Sequence, residues 1–286
     1  MSTSFAPARF APARFAIVIP ARFASTRFPG KPLAPLTGAH GTVRPLVERS
    51  CLAAQAVPGC AGVWIATDDT RIVDAVHGFG GQVVMTSPDC RNGTERCAEA
   101  WATLRAQGTE IDIMVNLQGD APLTPAHIVE GLVTAMAAEP PMTEGGCGMA
   151  TAALRCTAST WAHLKADADA GRVGGTTVVA DRHGRALYFS KQLIPYIPAA
   201  AQAHAHEAIH LHLGLYAYRA EALAAYAQAG PCALEDLEGL EQLRFLDAGL
   251  PVRVVGFDPL AWDCIELNNP GDRPAIEAAL AARGID

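Results

Sequence analysis

Ile17 to Leu33 reads IVIPARFASTRFPGKPL. An apolar run closes on a proline and opens into a turn carrying Arg22, Ser25, Arg27, Gly30 and Lys31. The run predicts a strand over Ile17–Pro20. A strand that stops in a loop of small residues and cations is how an α/β sheet presents an anion site, because ligands bind such sheets at their carboxyl edge. Small residues let the backbone approach a polyphosphate, and the cations neutralise it. The stretch lacks the G-x-x-x-x-G-K-[ST] spacing, so it is not the usual P-loop. A plain basic surface loop explains it less well, since three cations, a proline and a glycine crowd one turn beside a buried-type strand.

Strand and helix patterns alternate outward from this stretch, which predicts a mostly parallel sheet covered by helices on both faces. Helices are expected over Leu46–Ala56, Thr70–Phe79, Thr94–Arg105 and Pro125–Ala138, with strands over Gly62–Thr67, Gln82–Thr86 and Ile111–Leu117. The second half is richer in strands, at Met149–Leu154, Thr176–Ala180, Ala186–Phe189 and His210–Tyr218. Ala199–Ala208 reads as a loop, Ala220–Gln228 and Leu234–Ala248 as helices, Pro251–Phe257 and Asp263–Leu267 as short strands, and Asp272–Ala282 as a closing helix.

With 286 residues, half of them hydrophobic, the chain can bury a sizeable core. A formal charge of −7 and the lack of a basic stripe with interleaved aromatics argue against nucleic-acid binding. The eight cysteines are scattered without a CxxC pair, which excludes a zinc ribbon and suits buried thiols in a reducing compartment. The sequence has no apolar run of membrane-spanning length, and a cytoplasmic protein is the expectation. FAPAR occurs twice in tandem within residues 5–14. Residues 1–14 lack a continuous apolar core, do not form a signal peptide, and are expected to be a disordered extension before one domain over 15–286.

Other segments carry chemistry. Ile111–Leu117 ends in Gln118-Gly119-Asp120. An acidic residue at a strand's carboxyl end beside a phosphate loop is a candidate Mg²⁺ ligand; the alternative is a turn-forming Gly-Asp. Asn92-Gly93-Thr94-Glu95-Arg96 opens a helix, where backbone N–H groups suit anions and base edges; the alternative is a simple cap with a surface arginine. Glu235, Glu238 and Gln242 would share one face of a continuous helix, binding hydroxyl groups or simply facing solvent. His212 and Tyr216 would project to one side of a strand. His206-Glu207-Ala208-Ile209-His210 fits H-E-x-x-H, but it runs into the alternating LHLGLYAYR, so its two histidines would not converge on a zinc ion.

These segments together resemble the 3-deoxy-manno-octulosonate (Kdo) cytidylyltransferases, also called CMP-Kdo synthetases, over roughly residues 16 to 257. The resemblance implies a Rossmann-like mixed sheet with a smaller β-rich sugar-binding and dimerisation subdomain at approximately 150–250. It implies CTP and a 2-keto-3-deoxy sugar acid as partners, Mg²⁺ as cofactor, and a homodimer. Arg22, Ser25, Arg27 and Lys31 would hold the triphosphate, with Arg22, Lys31 and Asp120 the catalytic set. Ala66, Thr67, Asn92, Gly93, Thr94, Arg96 and Gln118 would surround the nucleotide. His212, Tyr216, Glu235, Glu238 and Gln242 would meet the sugar, near Ser190 and Lys191.

The chain departs from the family pattern at several points. Ala121 replaces the Glu of Gln-Gly-Asp-Glu-Pro, and Asn92 replaces the Ser of Ser-Gly-Thr-Glu-Arg. Thr177 stands where the family has Lys, and Ala39–Val43 looks inserted. Asn268 stands at the second metal-ligand position, leaving Asp120 with either Asn268 or Glu266 to complete the site. A related transferase with another sugar acid or nucleotide, or a non-catalytic nucleotide-binding homologue, stays open on the sequence.

Overall fold

Ile17 and Ile19 turn into one hydrophobic core and Val18 into another, on opposite faces of the strand they share. Both faces of that strand must therefore be covered, which is why its sequence is continuously apolar rather than alternating. The computed structural model describes residues 13–24, 28–260 and 266–286. In chain order the elements are β1 (Phe15–Pro20), a short 3-10 turn (Lys31–Leu33), β2 (Pro35–Thr37), β3 (Val43–Pro45), α1 (Leu46–Gln55), β4 (Cys60–Thr67), α2 (Thr70–Gly78), β5 (Gln82–Met85), α3 (Gly93–Ala106), β6 (Ile113–Asn116) and α4 (Ala126–Ala138). The second half adds β7 (Met149–Arg155), α5 (Ala158–Asp169), β8 (Thr177–Ala180), β9 (Ala186–Ser190), α6 (Ala205–Ala208), β10 (His210–Tyr218), α7 (Ala220–Ala229), α8 (Ala233–Glu238), α9 (Leu243–Asp247), β11 (Val252–Phe257) and α10 (Arg273–Ala282).

The main sheet runs β11-β7-β10-β6-β1-β4-β5, and β8 and β9 join it through β10. β1 is parallel to both β4 and β6, β4 is parallel to β5, and β7 is parallel to β11. β10 runs antiparallel between β6 and β7. The sheet is thus mixed and mostly parallel, as the alternation predicts. Helices α1, α2 and α4 pack on one face, through Val47, Ile72 and Leu132 among others. Helices α3, α7 and α9 cover the other, through Trp101, Tyr226 and Phe245. The chain leaves β1 toward β4 on one side while β6 lies on the other. The connections from β1 to β4 and from β6 to β7 thus run to opposite sides of the sheet, and open sheets bind ligands in the crevice such a switch creates.

Several local expectations need correction. Leu234–Ala248 is not one helix: Gly239, at φ +61°, ends α8, and α9 starts only at Leu243. Only glycine enters that left-handed conformation without strain, so the break is written in the sequence. Ala199–Ala208 is not a loop but a 3-10 turn (Ala199–His204) running into α6, in keeping with its alanines. The inserted residues Ala39–Val43 lie in the β2–β3 hairpin, which the periodicity did not announce because both strands have three residues. Nor does periodicity announce helix α5, whose one buried side chain is Leu164, so its apolar period is faint. Of the strand expected at Asp263–Leu267, residues 263–265 lie outside the described residues, and Leu267 instead bonds to the Asp120 carbonyl (2.9 Å). Residues 1–12 also lie outside the description. Arg14 is held by Asp112 and Glu110.

Candidate active site

The loop after β1 and the loop after β6 meet because two glycines permit it. Gly119 lies so close to β1 that a Cβ there would stand 2.7 Å from the Pro20 carbonyl oxygen. Its own carbonyl accepts a hydrogen bond from the Ser50 hydroxyl (2.9 Å). Gly30, at φ +71°, turns the chain into the Lys31–Leu33 3-10 turn. The two segments then close on each other: Lys31 Nζ donates to Asp120 Oδ2 at 2.5 Å, both side chains being about four-fifths buried. Arg22 lines the same cleft, whose volume is about 560 Å³. Ser25 and Arg27 lie outside the described residues.

The facing wall of this cleft is the start of α3. Asn92 caps the helix, its Oδ1 accepting from Glu95 N–H (2.9 Å), while its Nδ2 donates to Tyr226 Oη and Glu235 Oε1. Glu235 is in turn paired with Arg244 through two 2.7 Å bonds, and Arg244 reaches back to Glu95 (2.9 Å) and stacks over the Tyr226 ring. This closed ring fixes the cleft wall that holds Asn92 and Gly93. Thr94 is fully buried, its N–H on Glu241 Oε2 and its hydroxyl on Tyr218. Burial raises the Glu241 carboxyl above its ordinary range, against the opposing bond from Thr94. Arg96 lines the cleft and bonds Thr86 Oγ1 at 2.5 Å. Ala66 and Thr67 are buried at the carboxyl end of β4 and line neither cleft; the Ala66 carbonyl accepts from Ala21 N–H and so anchors the β1 loop.

A second cleft, about 990 Å³, opens on the other side of Gln118 and Asp120. The β10–β7 register shifts between Leu213 and Tyr216, and such bulges re-aim side chains beside active sites. His212 and Tyr216 contact each other there, ring centroids 5.6 Å apart. His212 is held by Thr151 Oγ1 (2.9 Å), and burial drives its pKa down to about 3, so the ring is neutral at physiological pH. Tyr216 donates to Gln242 Oε1 (3.2 Å), while Gln242 Nε2 is buried without a partner on the wall of the first cleft. A buried amide donor left unpaired is costly, and an acceptor on a bound molecule would satisfy it.

The proposed common face of Glu235, Glu238 and Gln242 does not exist, because α8 and α9 are separate helices. Glu235 is committed to Arg244, and Glu238 to Ser190 Oγ and the Lys191 N–H. Gln242 alone of the three keeps an unpartnered polar atom.

The second cleft carries Glu266, Asn268, Asn269 and Asp272 alongside Asp120, and Asp272 Oδ2 is taken up by the Asn268 and Asn269 N–H groups (2.9 and 2.6 Å). Leu267, between Glu266 and Asn268, is buried, which turns its two neighbours outward. Asn268 Nδ2 donates to Glu266 (3.2 Å). Carboxylate and amide oxygens suit Mg²⁺, which takes one or two protein carboxylates and completes its shell with phosphate and water. Among the described residues no cluster of three or more His, Cys, Asp or Glu could hold a metal by itself. His206 and Glu207 fall in α6 while His210 is in β10, so the H-E-x-x-H pattern forms no zinc site.

Sequence reasoning passed over Ser50 and Tyr226, and it reads Arg244 only as part of the Leu234–Ala248 helix on the sugar side. Ser50 carries no motif. The pairing of Arg244 with Glu235 follows only from the turn at Gly239.

A family model described as cytidylyltransferase matches residues 16–253. The chain is 41% identical over 270 residues to 3-deoxy-manno-octulosonate cytidylyltransferase of Maricaulis maris, covering 93% of this chain and 97% of that one. It is 37% identical over 269 residues to 8-amino-3,8-dideoxy-manno-octulosonate cytidylyltransferase of Shewanella sediminis, covering 93% and 98%. A solved structure of CMP:2-keto-3-deoxy-manno-octonic acid synthetase complexed with CTP superposes with a TM-score of 0.76 at 32% identity, over 95% of this chain and 100% of that one.

Proposed function

Because this chain belongs to the cytidylyltransferase family, we propose that it activates a 2-keto-3-deoxy sugar acid, Kdo itself, with CTP. The anomeric hydroxyl of the sugar attacks the α-phosphorus of CTP, the bond from that phosphorus to the bridging oxygen breaks, pyrophosphate leaves, and the hydroxyl proton passes to solvent. The observation that carries this reading is that the two clefts share Gln118, Asp120, Tyr216 and Leu240. One side offers cations and a helix N-terminus to a nucleoside triphosphate. The other offers a neutral imidazole and a tyrosine to a hydroxylated acceptor. The two substrates would meet over Asp120.

Arg22 and Lys31 hold the triphosphate and stabilise charge that develops on the departing pyrophosphate. Asn92, Gly93 and Gln118 line the nucleotide side. His212 and Tyr216 orient the sugar acid, while Gln242, which bonds Tyr216 from behind, turns its unpaired amide to the nucleotide cleft and not to the acceptor cleft. Such a transfer depends chiefly on positioning the reactants and on charge stabilisation. Asp120, with Glu266 or Asn268, would hold Mg²⁺, which supplies charge neutralisation and favours the deprotonated hydroxyl.

A homodimer is part of this reading, and the exposed apolar side chains of Leu187, Tyr196 and Leu237 are candidates for contact with a second copy. Among the described residues every cysteine is a free thiol, and no helix is long and apolar enough to cross a membrane. The thiols and the use of CTP favour a cytoplasmic setting.

The decisive assay is pyrophosphate release with mass detection of the CMP-sugar, comparing Kdo with its 8-amino-8-deoxy analogue, and CTP with UTP. Turnover with CTP and Kdo is expected, and Asp120→Asn should abolish it while the protein keeps its fold. The absence of any CMP-sugar across both acids would overturn the proposal.

A further inference from the structure

Asp120 stands at the join of the two clefts with Lys31 beside it in the first, and among the described residues each is the other's closest ionic partner. The pair is about four-fifths buried and its N···O distance is 2.5 Å. A carboxylate so engaged is a poor metal ligand, since the ammonium already occupies an oxygen and cancels its charge. Of the other donors on that cleft, Glu266 and Asn268 are tied to each other (3.2 Å), and Asp272 Oδ2 accepts from the Asn268 and Asn269 N–H groups. No larger acidic or histidine cluster among the described residues would compensate.

We infer that Lys31 is an internal counter-ion that closes the Asp120 site to divalent metal until a nucleoside triphosphate arrives. The triphosphate offers Lys31 oxygens of greater charge. Lys31 shifts from Asp120 to the phosphates, the carboxylate is freed, and the phosphates supply the oxygens that the protein lacks. The metal site is then assembled by the nucleotide and does not precede it, so free divalent cation competes weakly for the empty enzyme. The inference rests on the assignment of Asp120 as a metal ligand made above.

The test is Mn²⁺ binding to the full chain, read by electron paramagnetic resonance and water-proton relaxation, with no turnover involved. Wild type without nucleotide should bind Mn²⁺ weakly, and both Lys31→Met and Lys31→Gln should bind it at least about tenfold more tightly, as removal of a neighbouring unit charge predicts. Lys31→Arg, which keeps the positive charge, should stay weak. With the non-transferable α,β-methylene analogue of CTP, wild type should form a ternary complex whose relaxation differs from that of the Mn²⁺–nucleotide pair, and Asp120→Asn should lose it. Nucleotide-free wild type binding Mn²⁺ as tightly as Lys31→Met overturns the counter-ion role. A ternary complex indifferent to Asp120→Asn overturns the metal-ligand assignment instead. Circular dichroism of both neutral variants separates either result from misfolding.

Discussion

Single side chains set the site by contacts measured in tenths of an ångström. Gly119 is required because the β6 loop crosses under the end of β1, where a methyl group would meet the Pro20 carbonyl at 2.7 Å. Gly119→Ala should therefore displace Asp120 and destabilise the fold by about 1–3 kcal/mol, the usual cost of an overpacked contact; urea unfolding and kcat together check this, and unchanged kcat would refute it. His212 bears on stability against pH. Its pKa lies near 3 in the folded chain against an ordinary 6.5. The unfolded chain therefore takes up the extra proton, and stability is whole above about pH 6.5 and falls below it by about 1.4 kcal/mol per pH unit. The stability gap between wild type and His212→Asn should accordingly narrow from pH 7 to pH 5; a constant gap in denaturant titrations would show that burial does not hold the ring neutral.

At the scale of elements, the cleft wall is a helix start locked to two short helices. Arg244, 2% exposed, carries the lock by bonding Glu235 and Glu95 while covering Tyr226. Arg244→Met leaves Glu235 buried without its partner and should cost about 3–5 kcal/mol. The double variant with Glu235→Gln should recover part of that loss, which a double-mutant cycle measures; additivity of the two changes would contradict the pairing. This wall was only half legible in the sequence. Asn92 reads as a helix cap, and it is one. The apolar pattern predicts Arg244 and Glu235 on a single continuous helix, and Gly239 breaks it. Their true relation is a pair folded across a turn, which no helical spacing encodes.

Across the whole molecule, the mixed sheet brings a loop from residue 22 and a strand end at residue 120 to one crevice, with acceptor-side residues from beyond 210. Binding there couples to global stability by mass action. CTP at about a hundred times its dissociation constant should add about 2.7 kcal/mol, seen as a rise in Tm; no rise at millimolar CTP would argue against the cleft as the nucleotide site. The sequence by itself determined the parallel core around β1, because strands buried on both faces must be continuously apolar. It also determined the cation loop and Gln118-Gly119-Asp120, because a loop at a strand's carboxyl edge shows its chemistry in its residue types. Only the tertiary structure decided that Lys31 rests on Asp120, that Glu235 and Glu238 are committed to internal partners, and that Gln242, of those three, keeps an unpartnered donor. Those outcomes depend on distances between segments far apart in the chain, and a side chain's partner is chosen by where the backbone carries it.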